Sequence, residues 1–331
     1  MSVKRALFPV LAVAGLLVAA VLGHQRRFEA RCSGRSRPGM LASAPGGPVH
    51  VWCEGSGYPL VLFEASALGN ATEFDRVLHA VARQTTACAW DRPGMGFSPP
   101  TTGGTSVPEQ GERILAALSN ARRGGPIVTV GAAAGGLISL YLARQHPDRV
   151  VGVVLVDAIG PEAVERFEEP LAKVAASTRL SALGARLGLL PIIDPLRLSE
   201  ADACLTYWPE VFEAATDMLS GLPESARLVK RSPPLSPTMP LIVLRHGRPG
   251  DLAGLAASAD EQAIAEPTWI GLQMHLASQS NAGRIRVVPR SGHLIATEHP
   301  EAVVQAIDDM LIESALPAAQ RPQLARPVKD L

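Results

Sequence analysis

With 331 residues the chain can bury a full core, as one large α/β domain carrying an insertion or as two domains. Lys plus Arg and Asp plus Glu balance at 31 each, so nothing draws the protein to nucleic acid. A 47% hydrophobic content, in a chain also rich in Gly and Pro, excludes a disordered chain and favours an enzyme over a binding scaffold.

At the N-terminus, Lys4 and Arg5 precede an apolar run from Ala6 to Gly23, and "HQRRFEARCSGRSRPG" follows. The run has the length of a bilayer-crossing helix, and Val21-Leu22-Gly23 would serve as a signal cleavage site. Residues 1–30 are therefore expected to be a membrane anchor or signal segment. Arg26, Arg27, Arg31, Arg35 and Arg37 outnumber the two basic residues before the run, which by flanking charge alone would keep the body cytoplasmic. Four cysteines pull the other way, because an even count behind an export-like leader permits disulfides, in any of three pairings. The expectation is a membrane-anchored or exported protein with an extracytoplasmic body; buried free thiols are the alternative.

From residue 48 the pattern alternates. "PVHVWCEG" and "PLVLFEA" read as strands, "ATEFDRVLHAVARQ" as a helix, "TTACAWD" as a strand and "VPEQGERILAALSNARR" as a helix. Then come strand "PIVTVG", helix "GGLISLYLARQHP" and strand "VVGVVLVDA". Short β-rich runs separated by helical periodicity mean βαβ units and a mostly parallel sheet. Residues 45–160 are its first part. Across 161–237 the rhythm breaks into helical fragments without a clear strand, predicting a helical cap. Alternation resumes over 238–315 with "MPLIVLRHG", a helix around "TWIGLQMHLASQS", the strand "RIRVVPRSGH" and a last helix. The proline-rich tail 316–331 is expected to be disordered.

Ligands of open parallel sheets bind beyond the carboxyl ends of strands. There, Gly131-Ala132-Ala133-Ala134-Gly135 occupies the five places of the strand, G-x-S-x-G, helix pattern of a nucleophile elbow. Only the serine is missing. Acids at Asp157 and Asp251 and a histidine, His293, follow in the chain order that architecture needs. Asp91 and Arg92 are expected to brace the loop of Gly94 and Gly96.

Three blocks, "DRPGMGFS", "VGAAAGGL…HPDRVVGVVLVDA" and "SGHLIATEHPEAVVQAI", together resemble the α/β-hydrolase superfamily, especially its bacterial esterase-like members. The likeness covers roughly 48–160 and 238–313. It implies the α/β-hydrolase fold: a mostly parallel, eight-stranded-type sheet with helices on both faces and a helical cap insertion. It also implies that Ala133 stands at the nucleophile position and that His293 is the general base. The backbone N–H of Ala134 would be one oxyanion donor, and Ala67, or alternatively Ser66, the other. For the acid, Asp157 lies right at its strand end and is preferred to Asp251, which needs a longer loop to fold back.

A dinucleotide-binding turn would want a further glycine where Leu137 stands. No His-Glu-x-x-His or paired Cys-x-x-Cys is present, so no metal and no cofactor are expected. The resulting expectation is a serine hydrolase scaffold of Ser-His-Asp type, acting on a small-molecule ester or an amide. Serine to alanine removes one oxygen and keeps the turn, so Ala133 reads as an engineered replacement that traps substrate. The alternative is a natural pseudoenzyme with a binding role.

Overall fold

The computed structural model describes residues 3–32, 38–101, 103–193, 199–250, 252, 255 and 258–315. Eight strands form one sheet: β1 (Met40–Ala42), β2 (Val49–Glu54), β3 (Leu60–Glu64), β4 (Ala87–Trp90), β5 (Ile127–Ala132), β6 (Val150–Val156), β7 (Leu241–His246) and β8 (Gly283–Val288). Their order is β1-β2-β4-β3-β5-β6-β7-β8. The β1–β2 and β2–β4 pairs are antiparallel; all others are parallel. The first strand, Met40–Ala42, precedes the expected start of the sheet at residue 45. It is a three-residue edge strand with two exposed side chains, too short for a periodic signal.

The central strands are apolar throughout because both faces are covered. Alternate residues serve opposite layers: Leu60 and Leu62 pack on one side with α3 (Val107–Asn120), α4 (Gly135–Gln145) and α10 (Ala259–Ala277). Val61 and Phe63 pack on the other with α2 (Asp75–Val81) and α12 (Pro300–Ala315). Two helices begin where the sequence supplies a reciprocal cap, Ser106 with Glu109 for α3 and Ser258 with Glu261 for α10.

Between β6 and β7 the cap comprises α5 (Pro161–Arg166), α6 (Glu168–Arg186), α7 (Leu190–Ile193), α8 (Glu200–Thr206) and α9 (Pro209–Arg231). A third apolar cluster joins it to the N-terminal helix α1 (Val3–Cys32): Phe28 packs with Ala182, Ala185, Leu190, Tyr207 and Phe212. Cys32 is disulfide-bonded to Cys204 of α8, and Cys53 to Cys88, its direct partner across the β2–β4 pair. Free thiols are thereby excluded among the described residues.

The N-terminal run is helical, but the membrane-anchor reading finds no support. Among the described residues no helix is long and apolar enough to cross a membrane. Apolarity alone had suggested a span; the last turns of α1, with Phe28 and Cys32, instead serve the cap. The expected disordered tail, 316–331, lies outside the described residues.

Candidate active site

β5 runs to Ala132 and α4 starts at Gly135, so two alanines turn the chain. Ala133 manages this with φ +45°, a left-handed backbone that costs an alanine about 1–2 kcal/mol. The turn is pinned from both sides. Ala133 N–H donates to the Val156 carbonyl at 3.2 Å, and the N–H groups of Gly136 and Ile159 donate to the Ala133 carbonyl at 3.1 and 2.8 Å. The flanking glycines are obligatory: a Cβ on Gly135 would run into the carbonyl oxygens of Glu64 and Ala65, and one on Gly131 would meet Ser139 Oγ at 2.6 Å. Strain held in this way concentrates at functional sites.

Asp157 is the first residue after β6, likewise left-handed at φ +44°, and wholly buried. Its N–H donates to Leu244 of the next strand at 2.7 Å. His293, in the loop before α11 (Ile295–Glu298), donates from Nδ1 to Asp157 Oδ2 at 2.7 Å. Trp269 Nε1–H of α10 donates to Oδ1 at 3.0 Å, and the indole also meets the His293 ring edge-on at 5.9 Å between centroids. Burial alone would push the Asp157 carboxyl up. Hydrogen bonds from His246 and His293, and their charges, outweigh it and hold the group well below the usual carboxylate range. With Nδ1 of His293 committed to Asp157, Nε2 is the nitrogen left for chemistry. The other candidate acid, Asp251, lies outside the described residues.

Ala133, Ala134, Ser66, Ala67 and His293 line one cavity of about 630 Å³. The two proposed oxyanion donors differ from their alternative in one respect. Ser66 N–H is engaged, donating to Glu73 Oε2 at 2.9 Å, and Ser66 Oγ–H donates to the same oxygen at 2.8 Å. Neither Ala67 N–H nor Ala134 N–H donates to another group among the described residues. Arg92 holds the glycine loop after Asp91 through its backbone, its carbonyl accepting from Met95 N–H at 2.9 Å, and not through its side chain. Its guanidinium is buried against the Ala67 loop and donates to the carbonyl oxygens of Ala65, Ser66, Ala67 and Gly69. Asp91 does brace that loop, accepting from Phe97 N–H at 2.9 Å, and it also ties in Ala71 N–H and His50 Nδ1.

Roofing the cavity are Leu171 and Val174 of α6, Thr206 of α8 and Leu219 of α9, joined by Leu68, Ile159 and Leu255. A polar rim is formed by Asn70, Thr72, Glu73, Asp75 and Arg76. Burial raises the Glu73 carboxyl despite its Ser66 hydrogen bonds and the charges of Arg92 and His293. A concave, mostly apolar space of this size with few convergent polar groups suits a small organic ligand. Sequence reading gave no role to Glu73, Trp269, Glu266 or His246. The available signals were the position of His246 at a strand's carboxyl end and the spacing of Glu266 and Trp269 three apart on one helix face.

Known proteins place this architecture. An uncharacterized protein of Schizosaccharomyces pombe is 40% identical over 74 residues, covering 22% of this chain and 14% of that one. The esterase Rv0045c of Mycobacterium tuberculosis is 32% identical over 126 residues, covering 38% of this chain and 41% of the esterase. The chain thus matches less than half the length of either. Among solved structures, a thermophilic esterase from Thermogutta terrifontis, malate bound, superposes with a TM-score of 0.60 at 21% identity, over 85% of this chain and all of that one. The pattern of the alpha/beta hydrolase family matches residues 44–306, which takes in every strand of the sheet but β1, the elbow, the cap and His293. On that match, and on the sheet order and elbow described above, the chain belongs to the alpha/beta hydrolase family.

Proposed function

We propose that this hydrolase is a carboxylic ester hydrolase of Ser-His-Asp type in which residue 133 is the nucleophile position. The observation that carries the reading is the left-handed elbow at Ala133 opening into the same cavity as a His293 already paired with Asp157. With serine at 133, its hydroxyl would attack the ester carbonyl while Nε2 of His293 takes the proton and later returns it to the departing alcohol. The N–H groups of Ala134 and Ala67 would hold the oxyanion, and water would release the acyl group in a second round. The apolar roof of Leu171, Val174 and Leu219 favours a small to medium, partly apolar acyl or alcohol group. As it stands the chain lacks the attacking oxygen, so it retains bound ester with little turnover, which is how a trapping variant behaves. A pseudoenzyme free of catalytic constraint would not be expected to keep the elbow strain, the His293–Asp157 pair and two undedicated N–H donors together.

We further propose that the body lies outside the cytoplasm; Cys32–Cys204 and Cys53–Cys88 support this, since such disulfides persist in oxidising compartments.

The test is Ala133→Ser, assayed on a panel of p-nitrophenyl esters of graded chain length and treated with an organophosphonate. Turnover together with a covalent adduct on residue 133 is expected. A folded Ala133→Ser protein that neither turns over nor labels would overturn the hydrolase reading in favour of a binding role.

A further inference from the structure

Asp157 serves two histidines. His246 closes β7, one strand over, and its side chain is 1% exposed. Its Nδ1 lies 2.7 Å from Asp157 Oδ2 and its Nε2 lies 3.0 Å from Glu266 Oε1 of α10. Its backbone N–H also donates to Asp157 Oδ1, at 3.2 Å. An ionised carboxylate only accepts hydrogen bonds. Asp157 already accepts from His293 and Trp269, and the second oxygen of Glu266 accepts from Gly250 N–H at 3.2 Å, so both carboxylates behave as acceptors. A ring with an accepting oxygen on each nitrogen must carry a proton on each. A neutral ring would turn a lone pair on a carboxylate oxygen inside the protein, where an unmade hydrogen bond is costly.

We propose that His246 is a resident imidazolium clamped between Asp157 and Glu266, a positioning residue that keeps the acid ionised and its Oδ2 turned towards His293. The row then runs from Glu266 through the His246 cation and the Asp157 anion to His293. Arg245, beside it in the chain, points its guanidinium to the His246 carbonyl oxygen, to which it donates at 2.9 Å. Burial alone would lower the His246 ring, but the hydrogen bond and charge of Asp157, then those of Glu266, outweigh it and raise it. In the reaction, the fixed cation offsets part of the Asp157 charge felt by His293. His293 is then not held so firmly in its protonated form that it fails to return the proton. That last step rests on the ester hydrolase reading; the charge state of His246 does not.

The first arm therefore needs no turnover. In the chain with Ala133, labelled with ¹⁵N-histidine, nitrogen NMR at about pH 8, well above the ordinary histidine value of about 6.5, should show a ring with both nitrogens protonated that is assigned to His246. That signature should vanish in His246→Gln, and in Glu266→Gln the same ring should turn neutral. All eight histidines neutral at that pH, or a set of doubly protonated rings unchanged by His246→Gln, would overturn the proposal. Should His246→Gln not fold, Glu266→Gln decides, because Glu266 sits at the edge of the site with its side chain 14% exposed. In the second arm, adding Glu266→Gln to Ala133→Ser should move the acid limb of the kcat profile upward by about one pH unit, a tenfold change in proton affinity, with KM unchanged. A profile merely scaled down would make His246 a structural brace and sink the positioning role. An inactive Ala133→Ser parent would strike the hydrolase reading and leave the NMR result to judge the charge.

Discussion

Asp157 and Glu64 are two buried carboxyls at the carboxyl ends of strands on either side of β5, with opposite fates. Asp157 gathers four donors and stays ionised. Glu64, the last residue of β3, accepts only Trp90 Nε1–H, at 2.8 Å, and leaves its Oε1 buried without a partner. Burial therefore pushes it up to about 8 in spite of Trp90 and the charge of Arg92. The sign of its linkage follows directly. The folded chain holds a proton that the unfolded chain has lost, so this contribution to stability is complete below 4.5 and disappears as pH rises through about 8. Glu64→Gln stays neutral and keeps an acceptor for Trp90. It should leave unfolding by urea unchanged below 4.5 and raise the midpoint near 8, and equal shifts at both ends would refute the account. For the proposed triad acid, Asp157→Asn added to Ala133→Ser should lower kcat by about 10⁴-fold, the cost of presenting the wrong histidine tautomer. Asp251→Asn in the same background should leave kcat unchanged; the reverse pattern would move the acid to Asp251.

At the scale of elements, local patterns were readable and distant pairings were not. The elbow is a five-residue motif whose turn depends on its own glycines, so Gly131 to Gly135 declared it in the sequence. β6 and β7 announced themselves as apolar runs because helices cover both of their faces. Which strand end meets His293, by contrast, depends on the register that sets Val156 beside Leu244, and no local pattern encodes it. His246 was unreadable for the same reason, since its partners lie 89 and 20 residues away. The choice between Ser66 and Ala67 turned on Glu73, a side chain whose approach no loop motif announces. The α1–α8 junction carries its own prediction. Cys32 and Cys204 close a loop 172 residues apart in sequence, so Cys204→Ser should cost about 2–4 kcal/mol. Thermal unfolding should register the loss, and amide exchange should quicken first in α8. Unchanged exchange there would mean that Phe28 and its apolar neighbours hold the helix without the bond.

At the scale of the whole molecule, the sheet presents the groups proposed to react from the ends of β3, β5 and β6 and from the loop after β8, while the cap supplies the apolar roof. This division explains why the fold class was legible and the substrate was not. Sheet order follows from alternating βα units, whereas the roof is a set of leucines and valines that would look the same in any core.

Family resemblance begins at residue 44, but cohesion begins earlier, because Phe28 is 3% exposed inside the cap cluster and Cys32 is bonded to it. The unit that evolution copies and the unit that holds itself together therefore have different borders. Anyone trimming this protein to its recognisable domain would leave Cys204 as an unmatched thiol and uncover the apolar cluster that Phe28 fills.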